Sequence, residues 1–208
     1  MRVKICGLTR IEDALRAQEL GAWALGFIFY PGSKRHIAPE QAGKIISGLK
    51  THAFGVFVNQ TDEALTVAKQ IPLKGLQLHG DESPEECQRV RSGFSGLLIK
   101  ALRPRKEEDL KVIAAYKGIV DYILIDSAAG GQYGGTGQTA DWSLAEKASA
   151  FGIPVILAGG LTPENILAAQ AQAKPYALDL SSGVESAPGI KDMQKLDALF
   201  GAIKGVNT

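Results

Sequence analysis

The feature that most constrains this chain is a series of eight short apolar runs, each four to seven residues long, whose starts lie 21 to 32 residues apart. Runs of this length are typical of buried strands, and each gap has room for a helix and two loops, which is the spacing of β/α units around a parallel sheet. The runs cover residues 3–6, 24–30, 53–58, 75–79, 97–102, 121–126, 153–158 and 176–181.

The segments between these runs carry helix signals. Thr9 with Glu12 and Ser83 with Glu86 each have the spacing of a capping box at a helix start. Gly21 follows the first helical segment, where a left-handed residue commonly ends a helix. Apolar residues at helical spacing predict a closing amphipathic helix over residues 191–204.

Two architectures fit eight alternating units: an open doubly wound sheet and a closed (β/α)8 TIM barrel. The doubly wound dinucleotide-binding form needs GxGxxG after the first strand, and residues 6–10 read CGLTR instead. The regular spacing and the count of eight favour the barrel, which usually has about 250 residues and at least about 200. With 208 residues and no linker-like segment, we expect one catalytic domain over residues 1–208.

Composition limits the partners. The formal net charge is +1, so no bulk field favours nucleic acid or an anionic membrane, and no apolar run approaches the roughly 18 residues of a membrane span. Two cysteines, Cys6 and Cys87, suit a reducing compartment, so we expect a cytoplasmic protein. The three histidines lack metal-ligand spacing, so we expect no metal site. Nothing indicates an obligate protein partner.

In a barrel of this type the active site lies at the carboxyl ends of the strands. Cys6 ends the first run and is interpreted as functional, the alternative being a small buried apolar residue. A functional thiol needs its pKa lowered from about 8.5, and Lys4 or Arg35 is placed to supply the positive charge. Cys87 lies within a helical segment and is interpreted as structural.

Two carboxylates also stand at strand ends. Asp126 ends the sixth run, where it would either stay ionised and bond loop amides or act as a general acid. The second role requires its ordinary pKa of about 3.9 to be raised by burial and a neighbouring carboxylate. Asp179, on the eighth run, is the one further carboxylate that we place at the mouth, and His79 is expected to line the pocket.

Small residues follow the last two runs. Gly159 and Gly160 follow the seventh, and Ser181, Ser182 and Gly183 follow the eighth. Barrels often bind phosphate with these two loops, although such glycines also occur in plain turns.

Two further loops are long or charged. Residues 130–137 lack the P-loop pattern and are interpreted as a flap over the substrate, or else as a solvent loop. Arg35, within residues 33–36, would grip a carboxylate or simply be solvated.

Taken in order, these residues resemble the phosphoribosylanthranilate isomerase family of tryptophan biosynthesis. The resemblance covers residues 4–192, with one departure at Ala140, where phenylalanine is expected before Asp-Trp. The blocks that carry it are KICGLT (4–9), GFIF (26–29), SKR (33–35), GVFVN (55–59), LQLHG (76–80), GGTG (134–137), DW (141–142), AGGLTPEN (158–165) and DLSSGVE (179–185).

The resemblance implies an Amadori rearrangement of N-(5-phosphoribosyl)anthranilate to 1-(2-carboxyphenylamino)-1-deoxyribulose 5-phosphate, without a cofactor. It implies Asp126 as general acid, Cys6 as general base and Arg35 on the anthranilate carboxylate. It also implies a phosphate site of Gly160, Ser181, Ser182 and their neighbours Gly159 and Gly183, with Asp179 positioning or polarising groups nearby; the substrate is a phosphorylated aminosugar.

Two alternatives remain at this point. The histidine-pathway sugar isomerase shares the fold and the chemistry, but an aspartate is expected on its first strand, where this chain has Cys6. A barrel that binds a phosphorylated metabolite without turning it over is the other. It predicts that Cys6→Ala leaves phosphate affinity unchanged.

Overall fold

A computed structural model describes residues 1–127 and 142–205. Eight parallel strands pair in sequence order, and the eighth pairs with the first, so the sheet closes into a barrel. The predicted (β/α)8 fold is therefore confirmed. The strands are β1 Val3–Ile5, β2 Ala24–Ile28, β3 His52–Phe57, β4 Gly75–Leu78, β5 Leu97–Leu102, β6 Tyr122–Asp126, β7 Val155–Ala158 and β8 Ala177–Leu180.

Helices surround the barrel. Between β5 and β6 the connection is a 3-10 helix, Glu107–Tyr116, and short 3-10 turns cover Ser149–Phe151 and Ser182–Val184. No helix within residues 1–127 or 142–205 has both the length and the apolar content needed to cross a bilayer. The α-helices of these residues are α1 Ile11–Leu20, α2 Pro39–Ile46, α3 Thr61–Gln70, α4 Pro84–Gly93, α5 Ser143–Ala148, α6 Ile166–Ala173 and α7 Met193–Lys204.

The helix signals give mixed results. Ser83 and Glu86 form the predicted capping box at the start of α4, and Gly21 ends α1 with φ 98°. The capping box predicted at Thr9 is wrong. α1 begins after Arg10 without a side-chain cap, and the Thr9 hydroxyl instead donates to the carbonyl of Gly189, 2.6 Å away. A partner distant in sequence outcompetes the local cap.

The closing helix begins two residues later than predicted. Asp192 caps α7 by accepting from the N–H groups of Gln194 and Lys195. The chain before it forms a two-stranded antiparallel hairpin, β9 Glu185–Ala187 and β10 Ile190–Lys191. Lys191 thus belongs to a hairpin beside the end of β8 rather than to a helix.

Two apolar layers stabilise the barrel. Side chains facing its axis form a small cluster around Phe54, Ile99, Leu124 and Ile156. Alternate side chains point outward and pack under the helices in a larger buried layer. Because apolar residues fill the axis in its lower part, the polar inward-facing residues collect at the carboxyl ends of the strands.

Candidate active site

One row of paired residues defines the rim of the barrel. Asp126 pairs with Ala158, Ala158 with Asp179, and Asp179 with Lys4, which sets these four at one level across β6, β7, β8 and β1. Cys6 lies two residues beyond Lys4, and side chains two apart on a strand share a face. The register therefore brings Cys6, Asp126 and Asp179 to one mouth, as the sequence predicts.

Cys6 is buried, with 7% of the residue exposed. Its sulfur lies over Gly26 of β2, where an added Cβ would approach Sγ to 2.6 Å, so only glycine leaves room for the thiol. Burial raises the pKa of Cys6, the positive charge of Lys4 opposes this, and the negative charge of Asp179 adds to it. The net shift is upward because desolvation outweighs the neighbouring cations, so the lowering that a functional thiol needs is not supplied by Lys4 and its neighbours alone.

Lys4 and Asp179 form a buried ion pair below the thiol. Lys4 Nζ lies 2.7 Å from Asp179 Oδ2, and the Lys4 side chain is 0% exposed. Burial acts to lower the pKa of Lys4, but attraction to Asp179 and Cys6 outweighs it, so the net shift is upward. Lys4 is thus kept charged. Its positive charge compensates the carboxylate of Asp179, so Asp179 is not the unpaired carboxylate that was expected to raise the pKa of Asp126.

Two buried oxygens at this mouth have no hydrogen-bond partner among the residues that the structure describes. They are Asp179 Oδ1 and Ser181 Oγ. Buried polar atoms in folded proteins are nearly always satisfied, so exceptions need an explanation. A bound polar ligand would provide one.

His79 and Asp126 face each other across the mouth. His79 Nε2 lies 3.4 Å from Asp126 Oδ2, and both side chains are about one-fifth exposed, at 19% and 22%. On the far side of the ring, the Gln77 side-chain amide lies 2.7 Å from His79 Nδ1. With the amide nitrogen donating to Nδ1, the remaining ring proton sits on Nε2, the ring nitrogen 3.4 Å from Asp126 Oδ2.

Arg35 is held by a residue that the sequence analysis did not single out. Arg35 Nε lies 2.9 and 3.0 Å from the two carboxylate oxygens of Glu185, and Nη2 lies 2.7 Å from Oε2. Asp179 is therefore not the only additional carboxylate at the mouth. Among the described residues, the other terminal nitrogen, Nη1, has no partner.

Lys191 is the second residue that sequence reasoning missed. Its buried ammonium lies 2.8 Å from Glu185 Oε1 and 2.6 Å from the backbone carbonyl of Cys6. The only sequence signal for Lys191 and Glu185 is that charged residues lie close to the turn after β8, since Glu185 comes directly after SSGV, residues 181–184. Such a signal does not identify partners 150 or more residues away.

The two small-residue turns lie against each other. Gly159 and Gly160 both have positive φ, 92° and 65°, a conformation that side chains other than glycine adopt only with strain. A Cβ on Gly183 would collide with the carbonyl oxygen of Leu161, so the turn after β8 packs directly on the turn after β7. Ser182 and Gly183 open a 3-10 turn, whose first N–H groups have no partner within the turn.

Two expectations cannot be followed into the structure. The loop 130–137 and the departure at Ala140 lie outside the described residues. Within residues 1–127 and 142–205, no group of three or more histidine, cysteine, aspartate and glutamate side chains is arranged to hold a metal ion.

Comparisons with known proteins point in one direction. Residues 3–202 match the family model of N-(5'-phosphoribosyl)anthranilate (PRA) isomerase. An enzyme of that name from Geobacter sulfurreducens is 47% identical over 208 residues, covering 99% of both chains. Another, from Trichlorobacter lovleyi, is 46% identical over 199 residues, covering 94% of both.

Solved structures agree. The phosphoribosyl anthranilate isomerase of Thermotoga maritima superposes with a TM-score of 0.89 at 41% identity, covering 99% of both chains. That of Thermus thermophilus gives 0.85 at 42% identity, covering 99% of this chain and 100% of the other. A further structure of the isomerase, 39% identical with a TM-score of 0.86 and 99% of both chains covered, holds reduced 1-(o-carboxyphenylamino)-1-deoxyribulose 5-phosphate.

Proposed function

Because the chain belongs to the N-(5'-phosphoribosyl)anthranilate isomerase family and catalyses that isomerisation in tryptophan biosynthesis, we propose that Cys6 and Asp126 carry its two proton transfers. The observation that carries this proposal is the register of the rim, which runs from Asp126 through Asp179 to Lys4 and places Cys6 just above. A base and an acid on strands of one rim can reach two positions of one sugar.

Asp126 is proposed as the general acid. Its carboxyl gives a proton to the furanose ring oxygen, the bond from C1 to that oxygen breaks, and the nitrogen lone pair forms a C1=N Schiff base. The carboxylate left behind then lies within 3.4 Å of His79 Nε2. A donor at this distance stabilises the charge that this step creates on Asp126.

Cys6 is proposed as the general base. Its thiolate takes the proton from C2, the C–H electrons form C1=C2, and the C=N electrons return to nitrogen, which yields an enolamine. Loss of the C2 hydroxyl proton and gain of a proton at C1 then give the ketone. Lys4, which is kept charged below the sulfur, favours the thiolate against the cost of burial.

The remaining predicted residues are proposed to hold the substrate. Arg35 Nη1, the terminal nitrogen that Glu185 leaves available, would bind the anthranilate carboxylate. Asp179 Oδ1 and Ser181 Oγ, both buried without partners among the described residues, would bind polar groups of the phosphoribosyl part.

The phosphate would sit on the two packed turns. Gly159 and Gly160 expose backbone where a side chain would strain the chain, and Ser182 and Gly183 offer N–H groups at the start of a helical turn. His79 is proposed to contact Asp126 rather than to bind substrate directly. We also propose that the chain acts as one catalytic domain over residues 1–208, in the reducing cytoplasm that its two free cysteines suit.

Single substitutions test the roles. Cys6→Ala and Asp126→Asn should each reduce kcat at least about 10²-fold, the usual range for an acid or base, with folding retained by circular dichroism. Cys87→Ala serves as the matched control, because it removes the other cysteine, which is fully buried on α4. Turnover can be followed as loss of the fluorescence of the anthranilate substrate.

The outcomes decide the roles of the two residues separately. Near-normal turnover in Cys6→Ala or Asp126→Asn removes that residue from its role. Unchanged activity in both variants would favour a barrel that uses other groups for proton transfer. Unchanged binding of the reduced product analogue in Cys6→Ala, together with lost turnover, is the result that a catalytic base predicts.

A further inference from the structure

Lys191 stands where three parts of the site meet. Its Nζ lies 2.6 Å from the carbonyl of Cys6, 3.2 Å from the carbonyl of Ser181 and 2.8 Å from Glu185 Oε1. An ammonium group has three donors, and three acceptors surround this one. The side chain is 0% exposed, so no hydrogen bond to bulk water replaces any of these contacts.

We propose that Lys191 is a positioning residue. It fixes three parts of the site relative to one another, namely the proposed base Cys6, the turn that begins at Ser181 and the guanidinium of Arg35. Glu185 links Lys191 to Arg35. The inference rests on the proposed role of Cys6. It adds that the hairpin after β8, which is formed by β9 and β10 and is not one of the eight barrel strands, has a role in catalysis.

The hairpin holds Lys191 from both directions. Lys191 of β10 pairs with Glu185 of β9, and its backbone N–H donates to Asp13 Oδ2 over 2.9 Å. Asp13 is itself buried on α1 and binds the guanidinium of Arg10. A residue that is attached to three separate elements moves little. Catalytic groups keep their geometry only when the residues that support them are fixed in this way.

Charge provides the second half of the argument. The charged groups that face the Cys6 thiol are Lys4 below it, Asp179 on β8, Arg35 from the loop after β2, and Lys191 on β10 with Glu185 behind it. Lys191 favours the thiolate of Cys6. Burial lowers the pKa of Lys191 and Glu185 opposes this shift, so Glu185 helps to keep Lys191 charged. Removing the positive charge of Lys191 should therefore raise the pH at which Cys6 ionises, and a substitution that keeps the charge should not.

This dependence on charge gives a test that a purely structural role would not pass. Lys191→Met should move the pH midpoint of Cys6 alkylation upward and reduce kcat at least about tenfold, whereas Lys191→Arg keeps the charge and should return the midpoint toward that of the parent. Glu185→Gln should raise KM, because Arg35 loses its bidentate partner. Lys195→Met is the matched control, since Lys195 contacts the Glu185 carbonyl at 2.8 Å but neither Cys6 nor Ser181.

Alkylation is measured on the full chain without substrate, using iodoacetamide over a pH series and mass spectrometry of the peptide that carries Cys6. The peptide with Cys87, a fully buried cysteine, is the internal control for unfolding, because its alkylation requires the fold to open. An upward shift in Lys191→Met that Lys191→Arg reverses supports the proposal. A midpoint and a kcat in Lys191→Met that equal those of Lys195→Met overturn it, whatever the unfolding temperature.

If Lys191→Met does not fold, Lys191→Gln, which removes the charge but keeps a donor group, decides in its place, and an unshifted midpoint there overturns the proposal. This readout needs no turnover. It therefore stands apart from a failure of Cys6 as the base, which would appear as activity retained in Cys6→Ala.

Discussion

Lys4 and Asp179 meet across the seam where the first strand of the barrel pairs with the last, with Nζ and Oδ2 2.7 Å apart. They are 175 positions apart in sequence, and their contact joins the first and last strands of the barrel. The pair is buried directly below the proposed base, so it contributes both to closure and to the charge at the sulfur.

Lys4→Met should destabilise the fold by about 3–5 kcal/mol, the usual cost of leaving a buried charge without its partner. Urea unfolding at neutral pH measures it. Lys44→Met removes a lysine from an exposed pair with Glu40 and should leave the unfolding midpoint near that of the parent. Equal midpoints for the two variants would show that the Lys4–Asp179 pair does not stabilise the barrel.

The reactivity of Cys6 should rise with pH. Because burial raises the pKa of Cys6, its thiolate is a minority species at neutral pH. We expect the rate of Cys6 alkylation by iodoacetamide to climb as the pH passes the ordinary thiol value of about 8.5, because the thiolate is the nucleophile. In Lys4→Met the same rise should move to still higher pH, since the largest opposing charge is lost. Alkylation that levels off below about pH 7 would contradict a raised pKa of Cys6.

Gly183→Ala should weaken phosphate binding. The added Cβ meets the carbonyl of Leu161, so the turns after β7 and β8 must separate. We expect KM to rise at least about tenfold, because backbone N–H groups that bind an anion act only at close range. Gly48→Ala is the control, since Gly48 has an ordinary φ and its added Cβ makes only van der Waals contact, 3.6 Å from the Ile45 carbonyl. Inhibition by inorganic phosphate should weaken in Gly183→Ala alone.

The loss of folding stability at low pH should depend on Glu82. Its carboxylate binds Lys100 Nζ at 2.7 Å and accepts from the N–H groups of Asn59 and Gly80. Burial acts to raise the pKa of Glu82, but Lys100 and these donors outweigh it, so the pKa falls below its ordinary value.

A pKa lowered in the folded state gives stability that is complete above the unfolded value of about 4.3 and is lost as the pH falls through the folded value. The urea midpoint of the parent should therefore drop steeply below about pH 4. Glu82→Gln should start from a lower midpoint, because Lys100 is left unpaired, and should show a shallower slope. Glu40→Gln, in the exposed pair with Lys44, should follow the parent. Parallel slopes in Glu82→Gln and the parent would exclude Glu82 as the source.

The sequence by itself determined the number and order of the eight barrel strands and the polar residues at their ends. Strand length, alternation and the gaps between runs are local properties, and a closed parallel sheet places every strand end at one rim. Cys6, His79, Asp126 and Asp179 could therefore be assigned to the mouth before any coordinate was known. Ser83 was predictable for the same reason, since a capping box depends on residues three apart.

Only the tertiary structure decided which charges meet there and what burial does to them. Arg35 and Glu185 are 150 residues apart and Lys191 and Cys6 are 185 apart, so no local pattern pairs them. The ionisation of Cys6 likewise depends on the balance between desolvation and the surrounding charges, and that balance exists only once the barrel closes. Electrostatic interactions in a buried site are set by distance and dielectric, and both are properties of the folded chain.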